Sequence, residues 1–247
     1  MTIGVLSFQY NEEFLLPLFL RHYAGVDRIH IIVDADTNDN TRGIIDRWPN
    51  ATREDYRFPD MMDDELKVTR INSVLPSMGT DWIYVVDADE FIWPEQEDPY
   101  RFLQNVDGNV VMAAMWQVYR HHTDLDVDRW NAPAYQRRHG DADLTTHPNN
   151  MYIKPIVLWT GCGRTHFQLA PGNHSVAGNV KIATRKYAGV HWAMADPCFC
   201  IQRRVRDRRQ RQSQNNLQRG YTVQHHKVTE QEIVETCAAH LDDRLLF

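Results

Sequence analysis

The chain has 247 residues, 43% of them hydrophobic and 24% charged, with a formal net charge of -6. That length is ample for a sizeable core and the composition is that of an ordinary globular protein, while no apolar run approaches the ~20 residues a membrane-crossing helix needs. The N-terminal "MTIGVLSFQYNEE" has no basic stretch followed by a long apolar one, so no signal peptide is expected and the cytoplasm is the expected compartment.

The apolar run "TIGVLS" has strand length. "NEEFLLPLFLRHYAG" follows, with Asn11 as a helix N-cap, acids in the first turn, Gly25 as a stop and Pro17 as a possible kink. "RIHIIV" reads as a second strand, ending in the polar loop "DADTNDN". "TRGIIDRW" is a short helix, "ATREDYRF" a third strand, "DDELKVTRINSVLPSMG" a longer helix and "WIYVV" a fourth strand. Strand and helix thus alternate over the first 90 residues, which predicts parallel strands joined by right-handed crossovers.

The second half is less regular. "NVVMAAMWQVYR", "MYIKPIVLW" and "NVKIATRKYAGVHW" read as strands, and residues 120 to 150 as a polar surface excursion. "PCFCIQRRVRDRRQRQSQNNLQRG" reads as a helix, and "TEQEIVETCAAHLDDRLL" as a closing one. With no internal repeat or low-complexity linker, one domain over residues 1–247 is expected.

Charge is unevenly spread. Residues 201–220 carry seven arginines and one aspartate, leaving the remainder at -12. A basic segment on an acidic body points to a local anionic partner. Six of those arginines fall between Arg203 and Arg211, where a solvated helix face is the plain alternative. Cys162, Cys198, Cys200 and Cys237 include no C-x-x-C pair, so reduced thiols are expected rather than a zinc ribbon or a disulfide framework.

Ligands bind open α/β sheets at the carboxyl ends of strands, near a switch in strand order. The loops after the first, second and fourth strands carry "QYNEE", "DADTND" and "DADEF". Two carboxylates leaving an apolar strand, Asp87 and Asp89, suit a hard divalent ion such as Mg²⁺ or Mn²⁺ whose coordination substrate phosphates complete. That chemistry implies a phosphorylated substrate, most simply a nucleoside diphosphate conjugate. Asn11 as a cap, and Asp34 and Asp36 as turn formers, are the plainer readings of the other two loops.

The segments "SFQYNEEFLLPLFLRHYAGVDRIHIIVDADTNDNT" and "WIYVVDADEFIWP", with "PGNHSV" and "AGVHWAMADPCFCIQRRV" later, resemble the nucleotide-sugar glycosyltransferases of the GT-A fold, in their family 2-like group. The resemblance covers roughly residues 3 to 205. It departs at Ala195–Cys198, where that group often has Arg-Ser before the Gln. It implies an α/β fold with a mostly parallel central sheet and C-terminal helices, divided into a nucleotide-sugar-binding half to about residue 95 and an acceptor-binding half from about residue 96. It also implies a metal-dependent transferase that moves a sugar from a nucleoside-diphosphate donor to a hydroxyl acceptor with inversion.

On that resemblance, Tyr10, Asn11, Glu12 and Asp34 sit by the nucleotide. Asp87 contacts ribose or the metal's water, Asp89 ligates Mn²⁺ or Mg²⁺, and His191 is a further ligand. In the functional reading of the arginine run, Arg203, Arg204 or both face the diphosphate, with the rest touching an anionic acceptor or partner. The general base is open among His174, His166, Glu90 and Asp196, with His174 ranked first because a glycine-flanked histidine on a loop can approach a substrate closely. The acceptor is open among saccharide, lipid-linked and nucleic-acid hydroxyls. His121, His122, His225 and His226 receive no role, and Trp82, Trp93, Trp116, Trp130 and Trp192 read as core or rim, with one of them a candidate to stack on a sugar. Two alternatives compete. An arginine-rich nucleic-acid-binding protein, or a transferase acting on nucleic acid, would use the basic run. A haloacid dehalogenase-type phosphatase would need Thr or Val two residues beyond the second Asp, where Phe91 stands.

Overall fold

The computed structural model describes residues 1–93, 98–128, 136–137, 139–141, 153–221 and 227–241. Trp130, His225, His226 and most of the expected excursion after residue 128 lie outside these residues.

The first half alternates as its apolar runs demand. It runs β1 (Ile3–Gln9), α1 (Leu16–His22), β2 (Arg28–Asp34), α2 (Thr41–Ile45), β3 (Ala51–Tyr56), α3 (Asp64–Val74) and β4 (Trp82–Val85). Every residue of β1 and β4 is buried, as is β2 beyond Arg28. Strands covered on both faces read as continuous apolar runs. β1 pairs in parallel with β2 and with β4, and β2 in parallel with β3. The chain therefore runs outward from β1 to β3 and returns to the other side of β1. That return is the switch in strand order, and the loops after β1 and β4 flank it.

Alternate residues of these strands face two cores. Val5, Ile31, Val33 and Tyr84 pack with α1 and α2, through Phe19, Leu20, Ile44 and Ile45. Leu6, Ile32, Ile83 and Val85 pack with α3 through Val68, Ile71 and Val74. This is the two-residue period of a strand, read against helices on both sides.

The second half adds β5 (Glu90–Trp93), α4 (Pro99–Gln104), β6 (Val110–Tyr119), β7 (His139–Asp141), β8 (Ile153–Trp159), β9 (Phe167–Leu169), β10 (Val176–Gly178) and β11 (Tyr187–Met194). Helices α5 (Pro197–Ile201), α6 (Gln214–Arg219) and α7 (Glu230–Ala239) follow. Among the described residues nine strands form one sheet, in the order β3-β2-β1-β4-β8-β6-β11-β5 with β7 on β6, and both halves contribute to it. β8 runs antiparallel to β4 and β6, β11 parallel to β6, and β5 antiparallel to β11. The sheet is parallel in its first half and mixed in its second.

Several elements differ from expectation for identifiable reasons. α1 starts at Leu16, because Asn11 adopts φ 50 in the left-handed region and does not cap it. Pro17 then falls in the first turn, where its missing N–H costs nothing and no kink results. "EFIW" is a strand, held by β11, instead of a loop. Residues 179–186 are not strand. The arginine-bearing helix changes pitch after Ile201 instead of running to Gly220. α7 opens on a capping box between Thr229 and Glu232.

Candidate functional site

A cleft of about 360 Å³ opens at the carboxyl ends of β1, β2 and β4, which is within the usual size of small-ligand sites. The loop after β1 brings Tyr10 to it and the end of β2 brings Asp34. Asp34 Oδ1 accepts the Asp36 N–H at 3.0 Å. Arg42 braces the same loop by donating to the carbonyls of Asp34, Ala35 and Thr37. Asn11 and Asn38 exchange hydrogen bonds at 2.9 and 3.0 Å, tying the two loops together on the side away from the cleft.

The acids after β4 meet cations from distant elements. Lys67 of α3 donates to Asp87 Oδ1 at 2.9 Å. Lys154 of β8 donates to Glu90 Oε1 and stands 3.8 Å from Asp87 Oδ2. Glu90 Oε2 accepts the Asp87 N–H at 2.9 Å, so both oxygens of this buried carboxylate are committed. Burial raises the Asp87 carboxyl, but Lys67 and Lys154 outweigh it and hold it well below the ordinary range. Burial pushes the Lys154 ammonium down, but Glu90 and Asp87 outweigh it and hold it well above the usual range.

Asp89 is tied to the arginine run. Arg203 Nη1 donates to Asp89 Oδ2, while Arg203 Nε and Nη2 both donate to Glu12 Oε1 at 3.1 and 2.9 Å. Arg208 donates to the same Glu12 oxygen. Burial pushes Asp89 up, and Arg203 and His191 overcome it, leaving the carboxyl well below its usual value. Glu12, Asp87, Asp89 and Glu90 are thus balanced by Lys67, Lys154, Arg203 and Arg208.

A change of helical pitch sets this arrangement. Asp196 caps α5 by accepting the Phe199 N–H at 2.9 Å. The helix then widens to π-helical geometry over Gln202–Arg208 and tightens to a 3₁₀ turn over Arg209–Arg211. Residues five apart stand roughly 140° apart on an α-helix, but the i→i+5 ladder of a π-helix brings them to one face, and residues three apart eclipse on a 3₁₀ turn. Arg203, Arg208 and Arg211 consequently line the cleft in one row. Arg211 donates to Asp34 Oδ2 at 2.9 Å. Arg206 pairs with Glu230, and Arg209 donates to the Val228 carbonyl. Arg204 is half-buried and lines the cleft, and it has no ion pair or hydrogen bond among the described residues.

His191 is fixed by its neighbour. Gln117 Nε2 donates to the carbonyls of His191 and Val118, which turns its Oε1 toward His191 Nδ1 at 2.8 Å. Nδ1 therefore carries a proton and donates, while Nε2 faces Asp89 Oδ2 at 3.4 Å. His174 lies beyond a turn in which Gly172 and Asn173 both have positive φ, 73 and 57. A Cβ on Gly172 would meet the His174 ring at 2.6 Å, so glycine is what admits the ring there. The ring has an exposed edge, but its inner side is withdrawn from water beside Lys154. Both effects push its pKa down to about 4, leaving a neutral imidazole at pH 7.

The cleft thus gathers Tyr10, Asp34, Asp87, Asp89, Glu90 and His174, with His191, Arg203 and Arg204 beside them. Three expected residues are elsewhere. Asn11 locks loops, Glu12 is fully buried behind Arg203 and Arg208, and Asp196 is a helix cap spent on backbone. Glu90 lines the cleft, with its carboxylate paired to Lys154 and accepting the Asp87 N–H. Sequence reasoning missed Lys67, Lys154, Arg211 and Gln117. Lys154 had a signal, a lone lysine inside the apolar run "MYIKPIVLW", which asks for a buried partner.

The residues named for Mn²⁺ or Mg²⁺ do not form a metal site as placed. Asp87 is turned to two lysines, Asp89 Oδ2 is shared by Arg203 and His191, and among the described residues no three His, Cys, Asp or Glu side chains converge as ligands.

No protein-family model matches the chain, and no curated protein matches it. Among solved structures it is similar to S. aureus TarS 1–349, at 14% identity and a TM-score of 0.45, over 78% of this chain and 61% of that one. The same fragment in complex with UDP-GlcNAc gives 14% and 0.45, over 77% and 58%. A 4-diphosphocytidyl-2C-methyl-D-erythritol synthase gives 14% and 0.36, over 67% and 78%. The chain spans about three fifths of the TarS fragment, and at these levels the likeness assigns neither family nor activity. Among the described residues no helix is long and apolar enough to cross a membrane.

Proposed function

We propose that the protein is a nucleotide-sugar-dependent glycosyltransferase that moves a sugar from a nucleoside diphosphate to a hydroxyl acceptor. The observation that carries this reading is the set of groups gathered in one cleft at the sheet's switch point. Tyr10 and Asp34 offer a ring face and a carboxylate suited to a nucleoside. Arg204 offers positive charge suited to a diphosphate, with Lys67 and Lys154, each paired to an acid, lining the same cleft. His174 offers a neutral imidazole.

In the step we propose, the acceptor oxygen attacks the anomeric carbon and its proton passes to His174. The bond from that carbon to the diphosphate oxygen breaks, with inversion. Charge that develops on the leaving diphosphate is met by cations already in place, which is where preorganised electrostatics contributes most. No part of the step is routed through a metal ion. The nucleic-acid-binding alternative is disfavoured by the arginine run itself. Among the described residues its side chains, Arg204 apart, are committed to partners within the chain.

The test is a panel of nucleotide sugars read by thermal shift, run in EDTA and again with Mn²⁺ and with Mg²⁺. A ligand that binds only the folded state raises the melting temperature, so a selective shift names the donor. A shift that requires an ion would return Asp89 and His191 to the role of ligands, with Arg203 displaced. No shift with any nucleotide sugar would overturn the reading.

A further inference from the structure

Arg211 lies where the proposed function puts the nucleoside. Its guanidinium carbon is 3.7 Å from the centroid of the Tyr10 ring. Its Nη2 donates to Asp34 Oδ2 at 2.9 Å and to Asp36 Oδ2 at 3.2 Å. A flat, delocalised group that stacks on an aromatic ring and donates N–H to a carboxylate makes the contacts a nucleobase would make there. Both Asp34 oxygens already accept, Oδ2 from Arg211 and Oδ1 from the Asp36 N–H. Arg211 and a base cannot both lie on this face of the ring.

We infer that Arg211 is an internal stand-in for the base, closing the nucleoside subsite of the free protein, and that nucleotide binding requires its side chain to swing out. This rests on the nucleotide-sugar reading of the cleft. The backbone is pinned on both sides. The Met62 N–H donates to the Arg211 carbonyl and the Ser213 N–H to the Met62 carbonyl, each at 2.9 Å. Ser213 Oγ and Asn215 Nδ2 donate to Asp63 Oδ2 at 2.7 and 3.0 Å, and the buried Asn216 accepts the Asp64 N–H at 2.9 Å. The moving part is the arginine's own three-carbon stem. A subsite open only part of the time lowers apparent affinity by that fraction.

The experiment is calorimetric titration of wild type, Arg211→Ala and Arg211→Lys with UDP, CDP, GDP and ADP, and with inorganic pyrophosphate as the base-free control. Thermal unfolding checks that each variant is folded. For whichever nucleotide binds, Arg211→Ala is expected to bind roughly 5- to 30-fold tighter, the factor returned when a competing half-buried ion pair and ring contact is removed. Arg211→Lys, which keeps the charge but not the flat face, should fall between, and pyrophosphate binding should change by less than about twofold, since it makes no use of the base subsite. Equal or weaker nucleotide binding by Arg211→Ala overturns this inference alone. If no form binds any of the four nucleotides, the nucleotide reading fails and this inference with it.

Discussion

Arg203 and Glu12, 191 positions apart in the chain, meet through two hydrogen bonds to a single carboxylate oxygen, with both side chains buried. Their contact fastens the arginine-bearing helix to the loop after β1. Removing one member of such a set leaves buried charge uncompensated. Arg203→Ala should therefore lower the unfolding free energy by about 3 kcal/mol, a loss typical of a broken buried pair. Urea denaturation measures it. Adding Glu12→Gln should recover part of the loss. A double variant no more stable than the single one would show that Glu12 is satisfied by Arg208 alone.

His22 makes stability depend on pH at a point remote from the cleft. Burial pushes its pKa down to about 4, opposed by the bond from Nε2 to the Ile92 carbonyl. Between pH 6.5 and 4 the unfolded chain binds a proton at this position that the folded protein does not. The contribution is full above about pH 6.5 and is lost as pH falls toward 4, to a total of about 3 kcal/mol. His22→Gln, which can still donate to Ile92, should flatten that part of the stability curve. An unchanged slope between pH 7 and 5 would contradict it.

Much of the fold was legible because β1, β2 and β4 are unbroken apolar runs, and such runs leave few other places to sit. Their loops followed from topology, which is why Tyr10, Asp34, Asp87 and Asp89 could be named. What sequence could not show is pairing. Nothing local to Glu90 says that Lys154 will occupy it, and nothing in "QRRVRDRRQR" announces a wider helical turn. Asn11 was misplaced for a related reason: an asparagine suits a helix cap and a left-handed turn equally, and its exchange with Asn38 decides between them.

Arg204 separates affinity from stability. It lines the cleft without a partner among the described residues. Arg204→Ala should leave the melting temperature within a degree or so and weaken whichever nucleoside diphosphate binds about tenfold, as expected for one charge-assisted contact to phosphate. The matching nucleoside, lacking phosphate, should bind both forms alike. Equal weakening of the diphosphate and the nucleoside would place Arg204 at the nucleoside instead.

Gly172 offers a test of the base. An added Cβ collides with the His174 ring, and φ 73 disfavours any other residue. Gly172→Ala should bind nucleotide as wild type does yet transfer sugar at least about a hundredfold more slowly, the lower end of what a displaced general base costs. Undiminished turnover would remove His174 from that role.

The widened turn between Gln202 and Arg208 makes the arginine run an ordered message rather than a store of charge. Its meaning lies in which rung each guanidinium occupies. A chain with the same six arginines permuted over positions 203–211 would keep its isoelectric point and its hydropathy. It would deliver cations to the wrong acids all the same. Deleting one residue inside the turn, at unchanged charge, should be as damaging as losing an arginine, because every rung beyond it would rotate away from the cleft.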